Sequence, residues 1–278
     1  MKLLRNIKHF LKRPLPLWDL AIANELVGLK WRELVKQGKI GENACYHSVM
    51  MLGGRHIVDH YDSDKLPYGL PIEIPDVRLN HLYLEHGLDV LGKTEMDRIS
   101  ASEKVSSAFA RLLSVGECGE SVALLVKAVQ LLRQPEPEFD VSYSHPAIPF
   151  TIFVSVGEDS SEIESLRLSE SILHEAMHLL LTLVEEQVIL VRDNESTYYS
   201  PWRETERPVR GVLHGMFVFR AVLDYYLLLL KELKDFKVRD FAEFRIEQIT
   251  AELLLLNDFA KCGGLTEDGA SLAAGLLP

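Results

Sequence analysis

The chain has 278 residues, of which 47% are hydrophobic and 26% charged, and its formal net charge is −11. That length supplies a sizeable core for one large domain or two small ones, and the composition is ordinary for a globular protein. The acidic balance excludes a general nucleic-acid binder, which needs a basic footprint.

The N-terminal stretch "MKLLRNIKHFLKRPLPLW" is basic but too interrupted by charge to hold a signal-peptide apolar core. Residues 17–37 carry apolar positions at three- and four-residue spacing and predict a helix. The stretch 62–79, with three prolines, reads as an extended loop. Helices are expected over 94–115 and 119–133, after which "RQPEPEFD" breaks the chain. "AIPFTIFVSVG", 147–157, is the clearest strand, being β-branched and aromatic between Pro and Gly.

A long helix over 158–187 follows, with Asp159, Ser160 or Ser161 available as its N-cap. Residues 192–207 read as a polar loop, and Pro208 suits the first turn of a helix running to about Leu233. A further helix covers 238–261, and a short one follows Thr266. The expected fold class is mainly α (α+β), a helical domain with a zincin-like strand-plus-HExxH-helix site. Its halves are residues 1–145, helical, and 146–278, metal-binding and catalytic, in one continuous unit.

Cys45, Cys118 and Cys262 are far apart, odd in number and without C-x-x-C spacing, which argues against a disulfide framework and a thiolate zinc site. The longest apolar run, "YYLLLL" at 225–230, is far below the ~20 residues of a membrane span. The expectation is a cytoplasmic protein with reduced thiols.

The chemistry is concentrated in "SILHEAMHLLLTLVEEQ", 171–187, which contains H-E-x-x-H: His174, Glu175 and His178. Residues i and i+4 of an α-helix lie about 40° apart around the axis, so both histidines can donate a ring nitrogen to one metal. Glu175 is rotated about 100° from His174 and can sit beside a metal-bound water without being a ligand. So short a pentad also arises by chance. Two histidines in so apolar a helix, however, would be poorly satisfied without a shared ligand.

A site needs a third protein ligand. The extended H-E-x-x-H-x-x-G-x-x-H pattern is absent, since Leu181 and Val184 stand at its last two fixed positions. Glu204 and Glu206 fall in the loop before the next helix. His214 lies inside that helix, "PVRGVLHGMFVFRAV", between Gly211 and Gly215, whose small size allows another group to approach. A core histidine bonded to a backbone carbonyl is the alternative for His214. Arg207, Arg210 and His214 fall within about 60° of arc if the helix starts at 207; these arginines could equally pair with Glu204 and Glu206 at the surface. His56 and His60 share the i,i+4 spacing but have no third partner in register.

"LHEAMHLLLTL" followed by "YYSPWRETERPVRGVLHGMFVF" resembles the HEXXH-motif peptide-modification family, over roughly residues 145–233 and weakly in "GGLTEDGASLAAGLL". The family looks like Fe(II)- and 2-oxoglutarate-dependent β-hydroxylases of ribosomally made precursor peptides. The resemblance implies His174, His178 and His214 as iron ligands, an all-histidine variant of the facial triad with three open positions. It implies 2-oxoglutarate as co-substrate, its distal carboxylate held by Arg203, Arg207 or Arg210, with the shared face favouring Arg210. Glu175 would then orient a ligand or water. Two other readings stand beside it: a zinc metallopeptidase with Glu175 as general base, and a non-enzymatic helical peptide-binding protein with a structural metal.

Overall fold

The run "AVQLLR", residues 128–133, has no polar alternation, and neither has "TIFVSV", 151–156. In the computed structural model these are adjacent parallel strands, five of six and six of six residues buried. Mostly apolar sequence without alternation is what a strand covered on both faces shows. The structure describes residues 2–12, 16–41, 46–52, 60–61, 70–192 and 195–278.

In chain order the elements are α1 (Lys2–Phe10), α2 (Leu20–Lys36), β1 (His60–Tyr61), β2 (Ile72–Glu73), α3 (Asn80–Glu85), α4 (Lys93–Arg98), α5 (Ala101–Leu113) and α6 (Glu117–Leu125). There follow β3 (Ala128–Arg133), β4 (Ser142–Ser144), β5 (Thr151–Val156), α7 (Glu162–Glu185), β6 (Thr197–Ser200), β7 (Thr205–Pro208), α8 (Val209–Leu229), α9 (Phe236–Leu254) and α10 (Glu267–Gly275). The molecule is mainly helical with a small mixed sheet. Two compact units emerge: Val27–Leu179, and the residues up to Leu26 with Leu180–Pro278.

Within Val27–Leu179 the sheet order is β1-β2-β3-β5-β4. Strands β2, β3 and β5 are parallel, and the outer strands β1 and β4 are antiparallel to their neighbours. Residues 134–150 join β3 to β5 inside this one sheet and carry β4. The register puts Ser142 opposite Val154 and Ser144 opposite Ile152. Side chains alternate across a strand, so both serines share a face of the sheet and Tyr143 points to the other. On Tyr143's face a buried network surrounds Glu73: Gln130 donates to it at 2.8 Å, the Ser48 amide at 2.8 Å, and Tyr83 donates to Gln130 at 2.7 Å.

Three expectations change. Residues 128–133 are strand rather than helix, because a short fully buried run has no periodicity to separate the two. The helix over 94–115 is two, α4 and α5, broken where Ser100 takes φ 53°. The loop over 192–207 contains the β6–β7 hairpin, Thr197 opposite Pro208 and Ser200 opposite Thr205. In the 62–79 loop, residues 62–69 lie outside the described ones, and β2 occupies 72–73.

In the other unit, α8 and α9 form a helical pair, and α1 packs Phe10 edge-on to Phe217 at 6.4 Å. By length and composition α8 could cross a membrane, but 72% of its apolar window is buried inside the fold.

Candidate metal centre

Helix α7 begins with Ser161, whose Oγ accepts the Glu164 amide at 3.2 Å and which is itself held by Asp159. One of the three expected caps therefore starts the helix. Between Ser171 and Leu179 every residue is buried except His174 and His178, which are half-buried. Their periodicity brings both out of the packed side of α7 together.

The two Nε2 atoms stand 3.2 Å apart, with ring centroids 4.8 Å apart and planes at 69°. Imidazole nitrogens sit roughly 2.0–2.1 Å from a divalent metal of zinc's size. Two of them at the 90–109° angles of octahedral or tetrahedral coordination are therefore about 2.9–3.4 Å apart. The pair is spaced as two adjacent ligands of one ion.

Glu175 lies on the covered side of the helix, 3% exposed. Ser142 Oγ donates to its Oε1 at 2.6 Å and Ser144 Oγ to its Oε2 at 2.6 Å. Both donors come from β4, so the outer strand grips the carboxylate through alternate residues. Across the strand, Tyr143 lies 5.0 Å from the His86 ring, and His145 lies 5.1 Å from His86. Burial, and then the proximity of His86, lower the pKa of His145. The Ala147 amide donates to its Nδ1 at 3.1 Å.

In the unit containing Leu180–Pro278, a second constellation forms around Glu185, the last residue of α7. His214 Nε2 lies 3.0 Å from Glu185 Oε2, and the same oxygen accepts Arg210 Nε at 2.9 Å and the terminal guanidinium nitrogen at 2.7 Å. Burial pushes the Glu185 carboxyl up, but His214 and Arg210 outweigh it and hold it below its ordinary value. His214 is 7% exposed. A carboxylate, which the sequence did not single out, is thus among its partners.

Arg203 and Arg207 are exposed, and neither makes an ion pair among the described residues; Glu204 and Glu206 are exposed as well. Of the two glycines beside His214, Gly215 is the one that something approaches: a Cβ there would lie 2.7 Å from the Trp202 ring, whereas at Gly211 it would meet nothing. Trp202 stacks on Phe219 at 4.7 Å and 15°. The segment "SPWRETERPVRGVLHG" is therefore one local unit in which the hairpin lays its tryptophan over α8.

Among the described residues no three His, Cys, Asp or Glu side chains gather as a metal-holding group. His174 and His178 supply two convergent donors. His56 lies outside the described residues, and His60 sits in the two-residue strand β1. Reading the sequence did not find Ser142, Ser144 or the Glu185 partnership; the only trace of the first two is the S-x-S alternation in "VSYSH". No family model and no curated protein matches the chain.

Proposed function

We propose that the protein is a non-haem Fe(II)- and 2-oxoglutarate-dependent dioxygenase that hydroxylates a residue, at its β-carbon, in a ribosomally made peptide, acting in the cytoplasm. His174 and His178 hold the metal, with His214 as third ligand. Iron with 2-oxoglutarate and dioxygen supplies the oxidation: one oxygen atom enters a peptide C–H bond, and the other leaves in the succinate formed as the co-substrate loses carbon dioxide.

The observation that carries this reading over a zinc metallopeptidase is the grip on Glu175. A general base must offer an oxygen to the water it deprotonates. Both Glu175 oxygens already accept short hydroxyl hydrogen bonds, and the group is almost wholly buried. Such a carboxylate is suited to fixing the rotation of α7, and with it the direction of the two imidazoles, as outer partners of metal ligands do. The likeness of "YYSPWRETERPVRGVLHGMFVF" to the peptide-hydroxylase family supplies the reaction class.

Arg210 is the co-substrate's cation when Glu185 releases it, and Arg207 and Arg203 are the uncommitted alternatives. The deciding experiment is anaerobic purification with metal analysis, then succinate measurement on adding 2-oxoglutarate and oxygen. Fe(II)-dependent succinate formation and a peptide heavier by one oxygen atom are expected. Cleavage of peptides by zinc-loaded protein, with no succinate from the iron form, would replace this reading with the peptidase.

A further inference from the structure

The basic N-terminal stretch has no part in the metal chemistry. Residues 1–12 hold four Lys and Arg and no Asp or Glu, a charge of +4, while the rest of the chain carries −15. In α1 these residues are sorted by side. Ile7 and Phe10, with Leu11 in the turn that follows, are buried. Lys2, Arg5, Lys8 and His9 are exposed and occupy about 120° of arc on the opposite side. Lys12, also exposed, extends the row past the helix. From Lys2 to Lys12 the row is about 15 Å long, at ~1.5 Å per residue. Leu4, 44% exposed, borders it.

Little of this charge is answered within the fold. Among the described residues, two carboxylates bond to α1: Asp268 of α10 lies 3.2 Å from Lys8, and Glu25 of α2 accepts the Asn6 amide at 3.4 Å. Asp19 is spent on capping α2, accepting the Ile22 amide at 2.9 Å. Glu267, next to Asp268, is exposed. Lys2, Arg5 and Lys12 make no ion pair among the described residues. Nor does the helix itself call for all of them. Cations stabilise a helix at its last turn and oppose the dipole at its first. Lys8 and His9 are in the last turn, but Lys2 and Arg5 stand at the start, where no acidic residue offsets them.

We infer that the outward face of α1 docks an acidic segment of the peptide substrate, an assignment that rests on the peptide reading above. An extended chain advances about 3.3 Å per residue, so about five residues match the row. Carboxylates laid over Lys2 and Arg5 also supply the negative charge that the first turn lacks. The −15 on the rest of the chain selects a short partner. A nucleic acid or an anionic bilayer would carry its charge past α1 onto acidic surface and be repelled there. A bilayer is disfavoured further because the apolar side of α1 is already buried in the fold and is not free to enter it.

Fluorescence anisotropy of labelled hexaglutamate, titrated with the metal-free full chain, tests this without turnover, so its outcome is separate from that of the oxidation chemistry. Saturable binding that weakens with added salt is expected. Lys2→Glu with Arg5→Glu should weaken it by about tenfold or more, with an unchanged circular dichroism spectrum because both side chains are exposed. Lys231→Glu with Lys237→Glu makes the same charge change at exposed sites elsewhere and should alter it by less than about twofold. In turnover, hexaglutamate should raise the KM for the peptide and leave kcat unchanged. Absence of binding, or equal weakening by the two double variants, overturns the assignment. Binding that leaves KM unchanged gives the face to a partner other than the substrate and overturns it too. So does capture of the protein by phosphatidylserine vesicles, lost in Lys2→Glu with Arg5→Glu, when hexaglutamate does not bind.

Discussion

Ser144 donates to Glu175 Oε2 at 2.6 Å, linking the outer strand of the sheet to the helix that carries His174 and His178. Ser142 does the same for Oε1, so the pair acts as a two-point clamp. Removing a donor leaves a buried carboxylate oxygen unsatisfied, a loss of about 1–3 kcal/mol. Ser144→Ala should lower stability by that order in chemical denaturation, and Ser142→Ala with Ser144→Ala by more. The double variant should also bind metal less tightly, because α7 loses its rotational anchor. A double variant with wild-type stability and metal affinity would show that the clamp is incidental.

Glu175→Gln separates the two chemistries. Glutamine keeps the shape and can still accept from one serine, while the other hydroxyl rotates to accept from the amide. A peptidase loses its base and should fall by several orders of magnitude. The hydroxylase should keep iron and a measurable rate of succinate formation, lowered by about 10- to 100-fold at most, as for a residue that positions metal ligands. The ratio of succinate rates in the two proteins decides the matter.

His174→Ala and His178→Ala each remove one of two nitrogens 3.2 Å apart. Either should abolish stoichiometric metal binding in equilibrium dialysis, and full metal content in both variants would eliminate the site. His214→Ala should weaken binding and, separately, release Glu185. Comparison with Glu185→Gln isolates the second effect, because it leaves the imidazole in place.

The helix carrying this pair was legible because a 24-residue amphipathic segment declares itself through its period and its cap. Strand β3 was not, because a six-residue run with five residues buried and no polar alternation fits helix and strand equally until a partner strand exists. Ser142 and Ser144 were opaque for a related reason: their role depends on the β4–β5 register and on α7 crossing that face, a relationship between segments 31 and 33 residues apart. Gly215 was half legible. Its smallness signalled a close approach, but that Trp202, not a ligand, makes it came from the fold of the β6–β7 hairpin.

Arg210 and Glu185 allow a test of the co-substrate seat. Glu185 already occupies the guanidinium that the distal carboxylate of 2-oxoglutarate would use. Glu185→Gln should therefore lower the 2-oxoglutarate concentration for half-maximal succinate formation. Arg210→Ala should raise it by roughly 10- to 150-fold, the loss of a charge-assisted pair of about 1.5–3 kcal/mol. If both leave it unchanged and Arg207→Ala raises it, the seat belongs to Arg207.

Gly211 and Gly215 sit one helical turn apart and should respond oppositely to alanine. At Gly211 the new methyl meets nothing, so the gain in helix propensity, about 0.5–1 kcal/mol, should appear as added stability. At Gly215 the methyl would lie 2.7 Å from Trp202 and force the ring off Phe219. Overpacking of this kind costs about 1–3 kcal/mol and should outweigh the propensity gain. Tryptophan fluorescence should shift only in Gly215→Ala. Equal stabilisation by both would mean that Trp202 does not rest on the helix.

Asp224 gives a pH dependence whose sign runs opposite to that of most carboxylates. Burial raises its pKa from 3.8 to about 6, while Arg220, at 3.1 Å, pulls less strongly the other way. Its Oδ2 is buried without a hydrogen-bond partner. The folded state therefore takes up this proton more readily than the unfolded chain. Between about pH 4 and pH 6 the folded protein binds more protons at this site, so the contribution to unfolding free energy falls as pH rises. It is fully present below the unfolded value and lost above the folded one. Asp224→Asn carries no such proton and should flatten this part of the stability–pH curve, gaining on wild type most at neutral pH. Because Arg220 also donates to the Leu277 carbonyl at 2.6 Å, it keeps a partner in the variant, and the comparison isolates the carboxylate. A stability difference between the two proteins that does not change from pH 4 to pH 7 would show that Asp224 titrates where an exposed aspartate does.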